Sequence, residues 1–352
     1  MFLVQSRAHH ALKDFKADWF KEWHKDLDDA LDQLPEMNGC PHELYKLLMQ
    51  HHDGSKKRIV LVTRKEEPVG LLGLRRRRRD WIPVTHYLLP GVVFPVNAKY
   101  WTEILEIVGI DLWISWWRME SQPPVSRLIR SVEHVPTYKV NLAEDYEKYW
   151  TKKFRQQVRH FRNLCSHISY DVNAPGSAEW TIRNWNEKWH EDSEREENIL
   201  LDRLLVADYM ARIGRHFTLI LRDKDEPVSG VTVISHGKEL VGEYSYRLKD
   251  YSSIEVGKYT LDVLFKWARE NGFAKVDLGG DYGEHKKRWA PQDGEKITFN
   301  ICPEYLYKLK NFMRNIDRIR TKGISYSDVR RVLFHRTNHP ENGVIANHAQ
   351  QA

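Results

Sequence analysis

The sequence is poor in cysteine and has no long apolar run. Its 352 residues include three cysteines, Cys40, Cys165 and Cys302, which are too few for a disulfide framework and too scattered for a paired CxxC metal site. No stretch of about 18 uncharged apolar residues occurs, and the amino terminus lacks the apolar core of a signal peptide. We therefore expect neither secretion nor a membrane span, and we predict a cytoplasmic protein.

The 17 histidines lack a metal-binding pattern such as HExxH, so we predict no bound metal. The segment HHDG, which starts at His51, follows a predicted helix and suits a helix end. The excess of positive charge is small, +6 from 55 basic and 49 acidic residues, which permits anionic partners without choosing among them. The run LRRRRRDW has two interpretations, a charged edge strand or a phosphate-binding patch.

Hydrophobic residues make up 41% of the chain, which is enough for a globular core, and the length favours two domains. Helical periodicity predicts one amphipathic helix near the amino terminus and a second over HELYKLLMQ. The first helix is predicted from the spacing of apolar residues Phe15, Trp19, Trp23, Leu27, Ala30, Leu31 and Leu34.

A strand-turn-strand pattern occurs twice. Ile59 to Leu74 (IVLVTRKEEPVGLLGL) aligns with Thr218 to Val233 (TLILRDKDEPVSGVTV), and both contain the tripeptide Glu-Pro-Val. Helical segments precede and follow both copies, so we favour an internal duplication over two unrelated hairpins. The second half then continues through a helix to the strand AKVDLGG, which predicts an α/β layer with a mixed sheet.

A long helix, predicted over roughly Asp145 to Cys165, opens the second half. An apolar stripe runs along it, beside the basic residues Lys152, Arg155, Arg159 and Arg162. This basic face is either solvated or in contact with an anionic substrate. Beyond Pro291, EYLYKLKNFMRNIDRIR predicts a basic amphipathic helix that packs on the body or contacts an anionic membrane surface, and a disordered tail follows.

Three segments carry a family resemblance: KKFRQQVRHFRNL, YSYRLKDYSSIEVGKYTLDVLFKWARENG and VDLGGDYGEHKKRWAP. Together they resemble the GNAT acyltransferase superfamily, in particular the CelD/BcsL-like acetyltransferases associated with cellulose and other exopolysaccharide synthesis, a branch related to FemAB-type transferases. The last segment looks like the Gly-Asp, Tyr-Lys and Trp signature of that branch, with His285 where the family has Tyr.

The resemblance implies an α/β fold of tandem GNAT-like halves, each a mixed sheet flanked by helices, with the better-formed site in the second half. We predict four regions: an amino-terminal half at 1–140, a catalytic half at 141–300, basic helices at 301–336 and a disordered tail at 337–352. The implied reaction transfers an acyl group from a thioester to an amine.

Such a transfer needs a proton acceptor, a donor for the thioester carbonyl and a proton for the departing thiolate. Glu243 is a carboxylate within the mostly apolar strand ELVGEYSY, so it is our first candidate for the general base, unless it lies on a solvated face. Asp281 and His285 can also take a proton, although Asp281 suits a helix cap as well. The predicted substrate-binding residues are Tyr246, Arg155, Arg159, Lys286 and Trp289.

In the GNAT superfamily a Gly-rich loop running into a helix holds the pyrophosphate of coenzyme A, and the matching stretch here is YSSIEVGKYT. The resemblance therefore implies that Gly257, Lys258 and Tyr259 contact acetyl-CoA or another acyl-CoA. Ser252 and Glu255, however, have capping-box spacing, which places negative charge there. An aminoacyl-tRNA donor, as in the FemAB-type relatives, therefore stays open as an alternative.

We predict an N-acyltransferase acting on an amino group of a sugar or of a cell-envelope or exopolysaccharide precursor. The alternatives are a FemAB-like aminoacyl transferase that uses tRNA and a non-catalytic, degenerate GNAT pair that binds polysaccharide or a membrane surface. We predict no DNA partner.

Overall fold

The fold is described from a computed structural model. It describes residues 12–37, 39–51, 57–77, 80–85, 88–89, 94–108, 112–117, 129–189, 195–280, 284–302, 307–308 and 312. The chain divides after Cys302 into two units. Of the second unit only residues 307, 308 and 312 are described, so the predicted basic helices and tail lie outside the described residues apart from these positions. No helix within the described ranges is long and apolar enough to cross a membrane.

The first half alternates strands and helices. Its elements are β1 (Phe15–Phe20), α1 (Lys25–Asp32), α2 (His42–Gln50), β2 (Lys57–Arg64), β3 (Glu67–Arg77), β4 (Asp80–Pro83), α3 (Trp101–Val108), β5 (Leu112–Trp117) and β6 (Ile129–Asn141). Strands β1 to β4 pair in antiparallel fashion in chain order, and β4 pairs in parallel with β5 through α3. The boundary predicted at residues 140 and 141 falls at the end of β6 and stays a prediction.

The second half repeats this order with two additional helices, one before its first strand and a short one before its last. Its elements are α4 (Lys152–Leu164), β7 (Ser169–Val172), α5 (Ser177–Trp189), α6 (Arg195–Arg212), β8 (His216–Asp223), β9 (Glu226–His236), β10 (Glu239–Arg247), α7 (Val256–Glu270), β11 (Lys275–Gly280), α8 (Glu284–Lys287) and β12 (Gln292–Ile301). One face of this sheet packs on α4 and α7, and the other packs on α5 and α6. The predicted apolar stripe of α4 is confirmed, because Phe154, Val158 and Phe161 are buried.

The two hairpins confirm the predicted duplication at the level of the backbone. The turn residues Lys65 and Glu66 both have positive φ, as do Lys224 and Asp225, which is the type I′ geometry that suits a two-residue hairpin. Each hairpin also has a register shift at the same place, beyond the two residue pairs next to the turn. The two copies are 159 residues apart in the chain, as positions 65 and 224 illustrate.

The last strand of each half lies in the sheet of the other half. The strand order is β1-β2-β3-β4-β5-β12-β6-β11-β10-β9-β8-β7. Thus β6, which ends the first half, pairs with β11, and β12, which ends the second half, pairs with β5. The antiparallel pairing of β6 with β12 joins both halves into one sheet within the described residues. Sequence reasoning did not foresee this exchange.

An approximate two-fold axis follows from the strand registers. Position 140 of β6 pairs with Val276 of β11, and position 301 of β12 pairs with the equivalent residue of β5, Leu112. Corresponding positions of β6 and β12 are therefore 161 residues apart. Val135 and Lys296 have this same separation, and they pair directly with each other. The axis therefore passes between Val135 and Lys296.

The first predicted helix is wrong over its amino-terminal part. Phe15–Phe20 forms strand β1, and the helix begins only at Lys25. All six residues of β1 pair with β2, so the backbone groups of β1 that face β2 have hydrogen-bond partners, and β1 forms the edge of the sheet. Phe15 and Trp19 are four residues apart, which imitates helical spacing although both lie in a strand. Trp19 is 44% exposed.

Replacing Thr298 tests how much the central position of β12 contributes to stability. It is buried and pairs with Ser115 of β5 on one side and with Glu133 of β6 on the other. Proline at this position removes a backbone N–H from the middle of the sheet, so Thr298→Pro should lower the free energy of unfolding by about 3 kcal/mol or more. Urea unfolding followed by circular dichroism measures this change.

The control is Thr298→Val, which keeps the branched side chain and the backbone donor and loses only the hydroxyl, so it should cost about 1.5 kcal/mol or less. Equal stability of the proline and valine variants would contradict the central role of β12.

Candidate active site

Strands β10 and β11 separate at their carboxyl ends. They pair in parallel only between Glu239–Val241 and Lys275–Asp277. Beyond this point β10 has a bulge between Gly242 and Ser245 and continues along β9, whereas β11 turns at Gly279, where φ is +77°. The result is an opening between two parallel strands at the end of an α/β sheet where ligands commonly bind.

Glu243 lies in this bulge with its side chain buried. The side chain is 5% exposed, and its Oε2 lies 3.5 Å from Nε2 of His216, the first residue of β8. Burial raises the pKa of Glu243 well above its ordinary value, and the charge of Arg203 only partly opposes that shift. Burial likewise lowers the pKa of His216 to about 4. Burial therefore favours the uncharged form of each group.

Arg203 of α6 contacts the same bulge. Its guanidinium lies over the rings of Trp185 and Tyr244, 4.7 and 5.4 Å from their centroids, and donates a hydrogen bond from Nη1 to Asn186 Oδ1. Burial raises the pKa of Tyr244, while Arg203 lowers it by charge and by a hydrogen bond. We refer to Arg203, Asn186, Trp185 and Tyr244 as the Arg203 cluster.

Asp277 is a second buried carboxyl, at the point where β10 and β11 separate. Its Oδ1 accepts a hydrogen bond of 2.7 Å from the Gly279 N–H, and its Oδ2 lies 3.7 Å from Lys139 Nζ. Lys139 also forms an ion pair with Glu239. Burial raises the pKa of Asp277 to about 6, and Lys139 offsets part of that rise.

The amino terminus of α7 lies close to the end of β10. A Cβ added to Gly257 would lie 2.7 Å from Arg247 Cδ, so glycine leaves the space that the arginine side chain occupies. Lys258 forms an ion pair with Glu255, and Tyr259 is partly buried against the core. Two positive side chains thus surround a helix end whose first N–H groups favour anions.

The predicted capping box does not form. Ser252 donates its hydroxyl hydrogen bond to Lys249 O, and the helix begins after Glu255, whose φ is +58° and whose side chain makes no cap hydrogen bond. The Glu255 carboxylate is instead paired with Lys258, which reduces the negative charge expected at this position.

The remaining predicted residues are spread over three surroundings. Tyr246 packs edge-on against Trp180, with ring centroids 5.5 Å apart, on the α5 side of the sheet. His285 is exposed in α8, and Lys286 Nζ lies 3.5 Å from Gly279 O. Trp289 is 3% exposed and packs in the apolar core, and Asp281 lies outside the described residues.

The basic face of α4 divides into free and paired positions. Arg155 and Arg159 are exposed. Arg162 donates two hydrogen bonds, of 2.9 and 2.6 Å, to the buried Asp262 and a third to Glu147. Arg162 is therefore structural, whereas the other two arginines remain accessible.

Sequence reasoning missed four residues of this region, namely Lys139, Arg203, His216 and Asp277. Asp277 carried a readable signal, since a carboxylate inside the apolar strand AKVDLGG is as unusual as Glu243 in its own strand. Arg203 gave none, because an arginine in a charged helix is ordinary until the helix is placed on the sheet.

The first half lacks the carboxyl at the corresponding position. With a repeat of 159 residues, Pro83 is equivalent to Gly242 and Val84 is equivalent to Glu243. Pro83 ends β4, and Val84 is fully buried. The bulge with its acidic side chain therefore belongs to the second half, where the resemblance placed the better-formed site.

Comparison with known proteins identifies the domain that carries these residues. Residues 150–287 match the family model described as an acetyltransferase (GNAT) domain. No curated protein matches the chain.

Solved structures with similar folds share little sequence with this chain. L-PGS from Bacillus licheniformis is 12% identical, with a TM-score of 0.47 over 78% of this chain and 91% of its own. FemX is 11% identical, with a TM-score of 0.43 over 83% and 99%. A tandem GNAT protein from the clavulanic acid biosynthesis pathway is 8% identical, with a TM-score of 0.45 over 81% and 98%.

Replacing Asp277 tests the cost of its buried charge. Its pKa is about 6 in the folded chain against 3.8 in the reference state, so its stabilising contribution is present at low pH and is lost as the pH rises through about 6. Asp277→Asn stays neutral throughout, so it should be more stable than the unmodified protein by up to about 3 kcal/mol at pH 7.5 and by only about 1 kcal/mol at pH 4.5. Chemical denaturation at both pH values measures the difference.

Asp293→Asn is the matched control, because this exposed carboxylate pairs with Lys275 at the surface and should give no pH-dependent gain. A loss of stability at pH 7.5 in Asp277→Asn would mean that the Lys139 contact outweighs the burial of charge.

Proposed function

Since residues 150–287 form a GNAT acetyltransferase domain, we propose that the protein is an N-acyltransferase that moves an acyl group, with acetyl as the first choice, from acyl-CoA to an amine. The observation that carries this proposal is the buried Glu243 in the bulge of β10, beside the opening between β10 and β11. A GNAT domain uses an acyl-CoA co-substrate in general. We further propose the acceptor and the roles of individual residues.

The residues at the start of α7 fit the pyrophosphate of the donor. Gly257 lets the Arg247 side chain lie against the start of the helix, and Arg247 and Lys258 supply positive charge at a helix end that already favours anions. Glu255 opposes them, but its ion pair with Lys258 weakens that effect. In this proposal Gly257, Lys258 and Arg247 hold the donor, and Tyr259 supports the helix from within the core.

The chemistry assigned to the chain's own groups is proton transfer and carbonyl polarisation. The unprotonated Glu243 carboxylate accepts a proton from the acceptor amine as the nitrogen–carbon bond forms and the carbon–sulfur bond breaks. The backbone N–H of Glu243, which the bulge takes out of the paired register, polarises the thioester carbonyl, whereas the Tyr244 N–H donates to Thr232 Oγ1. The departing thiolate takes a proton from solvent. Burial raises the pKa of Glu243, which makes its carboxylate a stronger proton acceptor.

The proposed acceptor is an amino group on a sugar or on a cell-envelope or exopolysaccharide precursor. Its support is the resemblance of VDLGGDYGEHKKRWAP to the CelD/BcsL-like signature. Lys286 and His285 lie on α8, directly after β11, where they border the opening toward which the acceptor would be directed.

Glu243→Gln tests the proton acceptor. Glutamine mimics the neutral carboxyl that burial favours, so the fold should remain intact while kcat for acetyl transfer falls by about 10²- to 10⁴-fold. Release of free thiol from acetyl-CoA, in the presence of an amine acceptor, measures the rate, and calorimetric titration should show unchanged affinity for acetyl-CoA.

Glu239→Gln is the control on the same strand, since that carboxylate pairs with Lys139 and has no assigned role in proton transfer. Full activity in Glu243→Gln would remove the assignment, and no binding of acetyl-CoA to the unmodified protein would remove the donor.

A second candidate, transfer from aminoacyl-tRNA, is favoured by the exposure of Arg155 and Arg159 on one face of α4. If these arginines contact phosphates, tRNA should bind, and the affinity should fall steeply with salt concentration because phosphate contacts release counterions. Titration with bulk tRNA at 50 and 200 mM salt, roughly the range over which such contacts lose most affinity, tests this. Weaker binding by Arg155→Gln than by Arg183→Gln, an exposed arginine of α5, would support the candidate. Binding of neither donor would favour the non-catalytic module.

A further inference from the structure

Arg203 is buried, and not all of its N–H donors have a hydrogen-bond partner. The residue is 5% exposed, and its Nη1 donates to Asn186 Oδ1, while its flat faces contact Trp185 and Tyr244. Its Nε has no hydrogen-bond partner in the described part of the chain. A guanidinium has five N–H donors and stays protonated in proteins, so this cluster holds a permanent positive charge and at least one unused donor.

The charge of Arg203 also lacks a contacting counterion. The neighbouring Asp202 is engaged elsewhere, with His51 at 3.1 Å and with Arg75 at 3.5 Å. No carboxylate of the described residues forms an ion pair with Arg203, and the nearby Glu243 interacts with it by charge alone. A buried charge without a partner costs several kcal/mol, so such an arrangement is expected where a ligand completes it.

A second unused polar atom lies in the same neighbourhood. His216 is 2% exposed, and its Nε2 makes no hydrogen bond within the described ranges. It lies 3.5 Å from Glu243, which directly precedes Tyr244 of the Arg203 cluster. Arg203, Glu243 and His216 therefore form one continuous polar region on the α5 and α6 side of the sheet.

We infer that Arg203 binds an anionic group, a carboxylate or a phosphate, carried by the amine that accepts the acyl group. This inference rests on the proposed function and specifies its substrate class. The planar guanidinium suits a two-oxygen contact with either group, and the aromatic rings on its faces hold it in one orientation. Because Glu243 and Tyr244 are consecutive, the anion at Arg203 and the amine at Glu243 belong to one small molecule.

The test compares acceptors in matched pairs with the full-length protein and acetyl-CoA. Glucosamine 6-phosphate against glucosamine tests a phosphate, and alanine against alanine amide tests a carboxylate. The anionic member of at least one pair should have a kcat/KM about 10- to 100-fold higher, as expected for a hydrogen bond to a charged group. Whichever pair shows the preference identifies the anion.

Variants of the arginine separate binding from packing. Arg203→Gln should raise KM for the anionic acceptor by about 10- to 100-fold relative to KM for the neutral acceptor, while KM for acetyl-CoA stays unchanged. Arg203→Lys should keep part of the preference, because it retains the charge without the planar fork. Arg212→Gln, an exposed arginine on the same helix, is the control and should have no effect.

The outcomes separate this inference from the proposed function. Equal turnover of neutral and anionic acceptors overturns the role of Arg203 and leaves the acyltransferase in place. No transfer to any amine overturns the proposed function and this inference with it. If the Arg203 variants fail to fold, the acceptor pairs with the unmodified protein still decide the question.

Discussion

The antiparallel pairing of β6 with β12 is the contact on which the rest of the structure depends. Each of these strands ends one half of the chain and lies in the sheet of the other half. Because β12 occupies the place next to β5, the first half has a complete sheet only when the second half is present. The same exchange places Lys139 of β6 opposite Asp277 of β11, so a side chain from the first half borders the candidate site in the second.

Local patterns in the sequence predicted much of the fold. The hairpins, the apolar stripe of α4 and the duplication all depend on turn chemistry and short-range periodicity, which a sequence shows directly. The exchange of β6 and β12 depends on which strands meet after the chain has folded, and nothing near Val135 or Lys296 marks their pairing. The first helix was mispredicted for a related reason, because edge pairing with β2 outweighs the helical spacing of Phe15 and Trp19.

The candidate site was predicted to a similar extent. Glu243 was found as a carboxylate in an apolar strand, and the structure places it in a bulge beside His216. The bulge itself could not be foreseen, because it reflects the register of β10 against β9. Arg203 and Lys139 come from elements distant in sequence, so only the folded chain shows their proximity. Trp289, which the sequence offered as a substrate contact, packs in the core.

The exchange of the two strands has a consequence for how the chain reaches its native state. During synthesis β5 emerges long before β12, so its free edge remains open for about 175 residues of further elongation, from Trp117 to Gln292. Contacts between such distant segments form slowly, and an open strand edge invites pairing with other chains. The sheet of the amino-terminal half is thus completed only after β12 has been synthesised. We expect a chaperone that covers the edge of β5 during this time to improve folding.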